Sequence, residues 1–330
     1  MERIGEKKRE FLFDNIRGIL ILLVVLGHAL EYFRLENDVG KFVYVFIYLF
    51  HMPVFIFISG YFSKNLEKAR SNAVRTFLIP YLLLNLILSV ILLALGKIQE
   101  IMILNPGWTL WYLYCMFIWR LLLPDLVKVR HILLLSFIVG IFSGLLTEFG
   151  TYMAMARTLG FLPYFLAGYF TTPQRIKKIR RLPLRKTVSG MIIAIGLGAA
   201  AFWLKYDLSP ELLWKDRSYA ANPLLWYENI GSNIFLYALG FAFVFAFIVL
   251  AEPRPHFFSL WGQKTLSIYL LHIYLIAPLV QFTQAIHNPV LHFSLLVAGS
   301  LLVVYLLSRK KVTETLDRLL QKLIHFIMPN

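Results

Sequence analysis

The sequence predicts an all-α polytopic membrane bundle of about ten transmembrane helices, with both termini cytoplasmic. Three observations predict it. Of 330 residues 59% are hydrophobic and 15% charged, and a mean hydropathy of +0.68 is too apolar for a soluble domain of this length. Apolar runs recur at close to the length needed to cross a hydrocarbon core about 30 Å thick at roughly 1.5 Å rise per residue. The third observation is where the charges fall. Spans read at 16–34, 41–62, 77–96, 108–123, 132–148, 158–171, 187–204, 231–250, 265–284 and 290–308 place 26 of the 33 Lys and Arg on inner segments. Only Arg34, Lys41, Lys97, Arg157, Lys205, Lys215 and Arg217 fall outside. This is the positive-inside pattern, and it favours an even number of spans in that orientation.

The net charge of +15 therefore reads as topology plus attraction to anionic lipid or to an anionic cytoplasmic ligand. No nucleic-acid motif accompanies it, so no nucleic-acid partner is expected. The single cysteine, Cys115, lies in an apolar run and excludes an intrachain disulfide or a cysteine-based metal site; no metal is expected. The N-terminus has a basic region before an apolar run but no small-residue cleavage site, so the run is expected to remain as a mature helix.

Residues 1–12 form a short charged cytoplasmic arm. The first span, FDNIRGILILLVVLGHALEYF from Phe13 to Phe33, is interrupted by Arg17 and His28. They are eleven positions apart, which at about 100° per residue returns to within roughly 20°, so both side chains share one stripe. Asp14 joins that stripe, within reach of Arg17 as an i, i+3 pair, and Glu31 sits one turn beyond His28. An ionisable group inside a membrane costs about 2.5 to 3.5 kcal/mol for Arg on insertion scales and usually marks function. Arg17, near the helix start, could snorkel to the headgroups. His28 lies roughly 16 Å further along, where snorkelling is hard; a buried, hydrogen-bonded histidine is its structural alternative.

The second span carries LFHMPVFIFISGYF. His51 falls at a depth comparable with His28, either meeting it across the hairpin or held by a backbone carbonyl beside a Pro53 kink. The basic loop 63–76 ends in RTFLIPY, where Arg75 either binds phosphate or is ordinary positive-inside charge. Trp108 and Trp111, in WTLWYLY, are either interfacial belt residues or part of a site. Glu148 and Arg157 flank an outer turn, and QRIKKIRRLPLRK (174–186) reads as a lipid-facing basic loop. The longest outer loop, 205–230, is rich in aromatic, amide and acidic residues (Trp214, Asp216, Trp226, Tyr227, Glu228, Asn229), which suit sugar faces and hydroxyls. The ninth span opens LWGQKTLSIYLLH and places Ser267, Tyr269 and His272 roughly 9 Å or less from the cytoplasmic side. After the tenth span, VTETLDRLLQKLIHFI is amphipathic and is expected to lie on the inner membrane surface. No internal repeat appears.

Several of these segments together resemble the acyltransferase-3 family of integral-membrane O-acyltransferases. They are DNIRG with ten residues between Arg17 and His28, HMPxFxFxSGYF from His51 to Phe62, the basic segment reaching Arg75, LWxL around Trp111, FLPYFLAGY from Phe161 to Tyr169, and SxYLxH from Ser267 to His272. The sequence departs from the O-antigen-modifying branch, which carries an acidic residue in the segment matching 108–119; none stands there, so no carboxylate is carried over. It also resembles the branch without an appended esterase-like domain, which implies that transfer finishes in the membrane domain or on a separate protein.

The resemblance implies a membrane domain over 1–310 with an amphipathic cytoplasmic tail at 311–330, in a bacterial plasma membrane. It implies no tightly bound cofactor; acetyl-CoA or another short acyl-CoA is the co-substrate. The acceptor is a hydroxyl of an extracytoplasmic or lipid-linked glycan. On this reading His28 is the general base, supported by Arg17, His51 and Asp14. Arg17, Arg75, Ser59, Tyr269 and His272 face the acyl-CoA, and Trp108, Trp111 and Glu31 face the acceptor. Membrane lipids are partners, and self-association into a homo-oligomer is left open. A transporter or flippase for a polysaccharide or lipid-linked sugar is the alternative that polar groups in a bundle also allow.

Overall fold

A computed structural model describes residues 11–101, 103–147, 150–221 and 224–328; the arm up to residue 10, and Glu148, lie outside the described residues. The first helix, α1 (Phe11–Phe33), is built from Leu, Ile, Val and Ala and carries Asp14 in its first turn, where a carboxylate complements the helix dipole. Asn37 caps α2 (Asp38–Tyr48), accepting a hydrogen bond from the Gly40 amide at 2.9 Å. The second span is not one continuous helix. It breaks at Leu49 and Phe50, and α3 (His51–Tyr61) follows. Pro53 explains the position of the break: it has no N–H for the Leu49 carbonyl and its ring crowds that carbonyl.

After α4 (Leu66–Ser71), the turn Val74–Leu78 is wound as a π-helix, the Ile79 amide reaching back to the Val74 carbonyl, and it feeds α5 (Ile79–Ala94). Pro80 again accounts for it, because the missing N–H shifts the hydrogen-bond register locally. The remaining helices are α6 (Trp111–Leu126), α7 (Ile132–Phe142), α8 (Met155–Phe170), α9 (Pro173–Ile179), α10 (Arg185–Lys205), α11 (Trp226–Leu250), α12 (Ser259–Gln263), α13 (Thr265–Thr283), α14 (Pro289–Leu307) and α15 (Lys310–Ile327).

Among the described residues seven stretches are long and apolar enough to cross a membrane: Phe11–Phe33, Asp38–Tyr61, Val74–Ala94, Arg185–Lys205, Trp226–Leu250, Thr265–Thr283 and Pro289–Leu307. The other three expected spans form helices too, but shorter ones. Both α6 and α8 have 16 residues, and α7 continues as a 3-10 turn only to Leu145. For α6 and α8 the reason is enclosure. Residues 111–116 of α6 and 160–166 of α8 are buried, so protein rather than lipid meets their backbone ends, and their length need not match the bilayer. Exposed apolar side chains concentrate instead on α5, α7, α10 and α14, for example Val90, Leu134, Met191 and Leu302, which fits a lipid-facing belt.

Two close backbone approaches set the register of the site. In one, α3 crosses α8 so tightly that a Cβ at Gly60 would stand 1.9 Å from the Phe165 carbonyl oxygen, and one at Gly168 would stand 1.9 Å from that of Phe57. In the other, a Cβ at Gly262 in α12 would lie 1.7 Å from the Asp14 carbonyl oxygen of α1. Small residues let membrane helices pack on backbone contacts when lipid supplies no hydrophobic drive between them.

Candidate active site

Two cavities lie along the buried side of α1. One, about 150 Å³, is lined by Arg17, Ser59, Tyr112, Arg120, Thr265 and Tyr269, among others. The other, about 220 Å³, is lined by His28, Glu31, His51, Trp108, Arg157 and Tyr269, with Trp111, Trp214 and Asp216 also on its wall. Tyr269 belongs to both. Its hydroxyl donates to the Thr109 carbonyl, and its ring meets Tyr112 edge-on at 5.2 Å. The Tyr112 hydroxyl in turn bonds Ser59 at 2.8 Å. A tyrosine and serine partition thus separates an arginine cavity from a histidine cavity.

In the arginine cavity Arg17 donates to Asp14 at 2.5 Å, the i, i+3 pair that the helical stripe predicts, and its guanidinium lies 5.1 Å from the Phe62 ring centre. Arg75 is not among the lining residues; the π-turn carries Thr76 and Phe77 to the wall instead. A cation absent from the sequence-derived site occupies the opposite wall: Arg120 of α6, stacked 4.9 Å from Phe77. In the sequence it looked like one more inner-side arginine, and nothing local to α6 marks it as different.

The histidine cavity is organised by Glu31. Its carboxylate stands 3.5 Å from His28 Nδ1, accepts from Trp108 Nε1 at 3.3 Å and from the Tyr44 hydroxyl at 3.5 Å, and has Arg34 at 3.9 Å. Trp108 reaches it from a left-handed backbone position, φ +32°, which is strained for a residue with a side chain and is the kind of geometry that sites retain. At that distance Nδ1 makes no hydrogen bond and is buried without a partner; Glu31 acts as a counter-charge beside the ring, which favours the proton on Nδ1 and leaves Nε2 as the base.

The other two histidines carry the same tautomer for a different reason. His51 Nδ1 lies 2.9 Å from the Ile47 carbonyl and His272 Nδ1 lies 2.8 Å from that of Tyr269. A carbonyl only accepts, so Nδ1 bears the proton in both. His51 is thus held by a backbone carbonyl, the second of the two arrangements the sequence allowed, and it also lines the cavity that His28 lines. His272 stands 5.4 Å from His28, ring to ring, and its Nε2 is buried without a hydrogen-bond partner. His272 lines neither cavity; α12 packs against the Asp14 backbone at Gly262, and α13 follows α1 from there to bring His272 beside His28.

The far wall comes from elements whose partners the sequence did not reveal. Arg157 donates to Asp216 at 3.1 Å and to the Trp214 carbonyl at 3.2 Å, over the Trp111 ring at 5.0 Å. The loop 205–230 thus contributes Trp214 and Asp216 to the cavity. Trp226 and Tyr227, which looked equally suitable, are exposed at 62% and 54% on the start of α11. Glu228 instead accepts from the Leu225 amide as part of a helix cap, and Asn229 bonds the Leu224 carbonyl. Ser267 is buried in α13. Among the described residues no group of three His, Cys, Asp or Glu side chains is placed to hold a metal ion.

Comparison with known proteins bears on this arrangement. Nodulation protein NolL of Sinorhizobium fredii is 45% identical over 64 residues, covering 18% of this chain and 18% of that protein. Nodulation protein NolL of Mesorhizobium japonicum is 41% identical over 64 residues, 18% of this chain and 17% of that protein. The matched stretch is thus under a fifth of either relative's length. No solved structure matches. The broader match is to a family model described as an acyltransferase domain, and because it runs over residues 12–309, the chain belongs to the acyltransferase-3 family.

Proposed function

We propose that this membrane acyltransferase moves an acyl group, acetyl in the simplest case, from a cytoplasmic acyl-CoA to a hydroxyl of an extracytoplasmic or lipid-linked glycan, in a bacterial plasma membrane. The observation that carries the reading is the His28–Glu31 pair in a cavity that shares the Tyr269 wall with an arginine-lined cavity. Arg17 and its neighbours are suited to the anionic part of the donor, and the thioester end reaches past Tyr269 toward His28.

In the reaction His28 Nε2 takes the proton of the acceptor hydroxyl while that oxygen attacks the thioester carbonyl. The C–O bond forms, the C–S bond breaks, and the proton passes from the imidazolium to the departing thiolate to give free CoA. Glu31 stabilises the imidazolium between those two transfers and keeps the ring turned with Nε2 toward the cavity. The Trp108, Trp111 and Trp214 rings with the Asp216 and Arg157 groups suit stacking on, and hydrogen bonding to, a sugar. The charge asymmetry along the chain supports placing the arginine cavity toward the cytoplasm.

The test uses the purified full-length protein in liposomes, with acyl-labelled CoA on the side facing the arginine cavity. Label appearing on an oligosaccharide hydroxyl, and lost in His28→Ala with folding intact, supports the reading; transfer by His28→Ala at the wild-type rate removes His28 from the chemistry. Saccharide flux that does not depend on acyl-CoA would support transport instead.

A further inference from the structure

We propose that Arg120 holds a phosphate group of the acyl-CoA donor, as the unneutralised cation of the arginine cavity. This rests on the acyl-CoA reading above and extends it to a residue that no motif marks. Arg17 and Arg120 both line that cavity, and among the described residues no carboxylate does. Their situations differ. Arg17 is paired with Asp14 at 2.5 Å, so its charge is largely balanced. Both arginines have Nε buried without a hydrogen-bond partner and lie over a phenylalanine ring, Phe62 at 5.1 Å and Phe77 at 4.9 Å, but among the described residues Arg120 makes no ion pair and no side-chain hydrogen bond.

A guanidinium held over an aromatic ring without an ion-pair partner keeps N–H donors for an anion, and the guanidinium fork grips phosphate oxygens two at a time. Leaving such a group in a low-dielectric wall without an anion is unfavourable, and water or an anion must satisfy it. The same cavity is lined by the hydroxyls of Thr76 and Thr265, neutral donors that suit phosphate oxygens; the Ser59 and Tyr112 hydroxyls are already engaged with the Phe55 carbonyl and with each other. The volume, about 150 Å³, is well below the roughly 300 to 1,000 Å³ that encloses a whole cofactor-sized ligand. It therefore takes a part of the donor next to the pantetheine arm, and the pyrophosphate is the part with the right charge.

The experiment measures binding of CoA and of S-acetylpantetheine, which keeps the thioester arm and lacks every phosphate, to the full-length protein in nanodiscs. Arg120→Gln is expected to weaken CoA by roughly 10- to 100-fold, the effect of one charge-assisted bidentate contact, and to leave S-acetylpantetheine unchanged. Arg120→Lys should recover part of the CoA affinity, and the salt dependence of CoA binding should fall in Arg120→Gln. Wild-type CoA affinity in Arg120→Gln overturns the proposal while leaving the acyl-CoA reading intact. Equal loss of both ligands overturns it too, because it marks a structural role. Failure of the wild-type protein to bind CoA at all overturns both.

Discussion

The rings of His28 and His272 stand 5.4 Å apart, although one belongs to the first membrane helix and the other to the ninth expected span. Their surroundings assign them different work. His28 has a carboxylate, Glu31, at Nδ1 and a cavity at its side, whereas His272 is fully buried and tethered to the Tyr269 carbonyl. Only His28 has both a proton acceptor's freedom and a counter-charge for the protonated state.

His28→Ala is therefore expected to lower acyl transfer by about 10² to 10⁴-fold, the usual worth of a positioned general base. Glu31→Gln should fall at least about tenfold with the protein still folded, because an amide neither stabilises the imidazolium nor fixes its tautomer. Initial rates at saturating donor check both; full activity in Glu31→Gln would remove the pair from the mechanism.

Tyr269 narrows the passage between the two cavities, held by its bond to the Thr109 carbonyl and its ring contact with Tyr112. Tyr269→Ala is expected to widen it. Water would then reach the thioester, so CoA release without acceptor should rise relative to transfer. The ratio of free CoA to acylated product measures this; an unchanged ratio would show that the partition lies elsewhere.

Gly262→Ala drives a methyl group into the Asp14 backbone, and rigid main chain cannot yield as a side chain does. A destabilisation of about 1 to 3 kcal/mol is expected, seen as a lower unfolding temperature in detergent. Because Asp14 holds Arg17, donor affinity should fall with it. Gly198→Ala, where nothing stands within 4 Å, is the control and should do neither.

Lys215 lies in the loop 205–230 with its ammonium bonded to Asn233 and over the Tyr237 ring at 4.1 Å. Burial pushes its pKa down from 10.5 to about 7, as expected for a cation removed from water. Between those values the unfolded chain binds a proton that the folded chain does not, so stability rises with pH across that window. Below about pH 7 both states are protonated and the penalty is constant. Lys215→Met should therefore be more stable than wild type at pH 6, with the advantage shrinking toward pH 10. Unfolding temperatures of the two proteins across that range check it; parallel curves would refute it.

Much of the site was legible because it is local. Arg17, His28, Asp14 and Glu31 sit on one helix, and the 3.6-residue period fixes their common face whatever surrounds them, so the sequence by itself determined the stripe, the Asp14–Arg17 pair and the all-helical membrane class. The break before His51 is also local, but choosing Leu49 over a bend at Pro53 depends on which carbonyl is abandoned. Other features were decided only by tertiary structure. Tyr269 as a shared wall, His272 beside His28, Arg157 paired with Asp216, and Arg120 rather than Arg75 on the arginine cavity all depend on how one helix is shifted along another. That register is set by contacts such as Gly262 on Asp14 and Gly60 on Phe165, between residues far apart in the chain. A hydrophobic period states which face of a helix is buried; it carries no information on the height at which that face meets its neighbour.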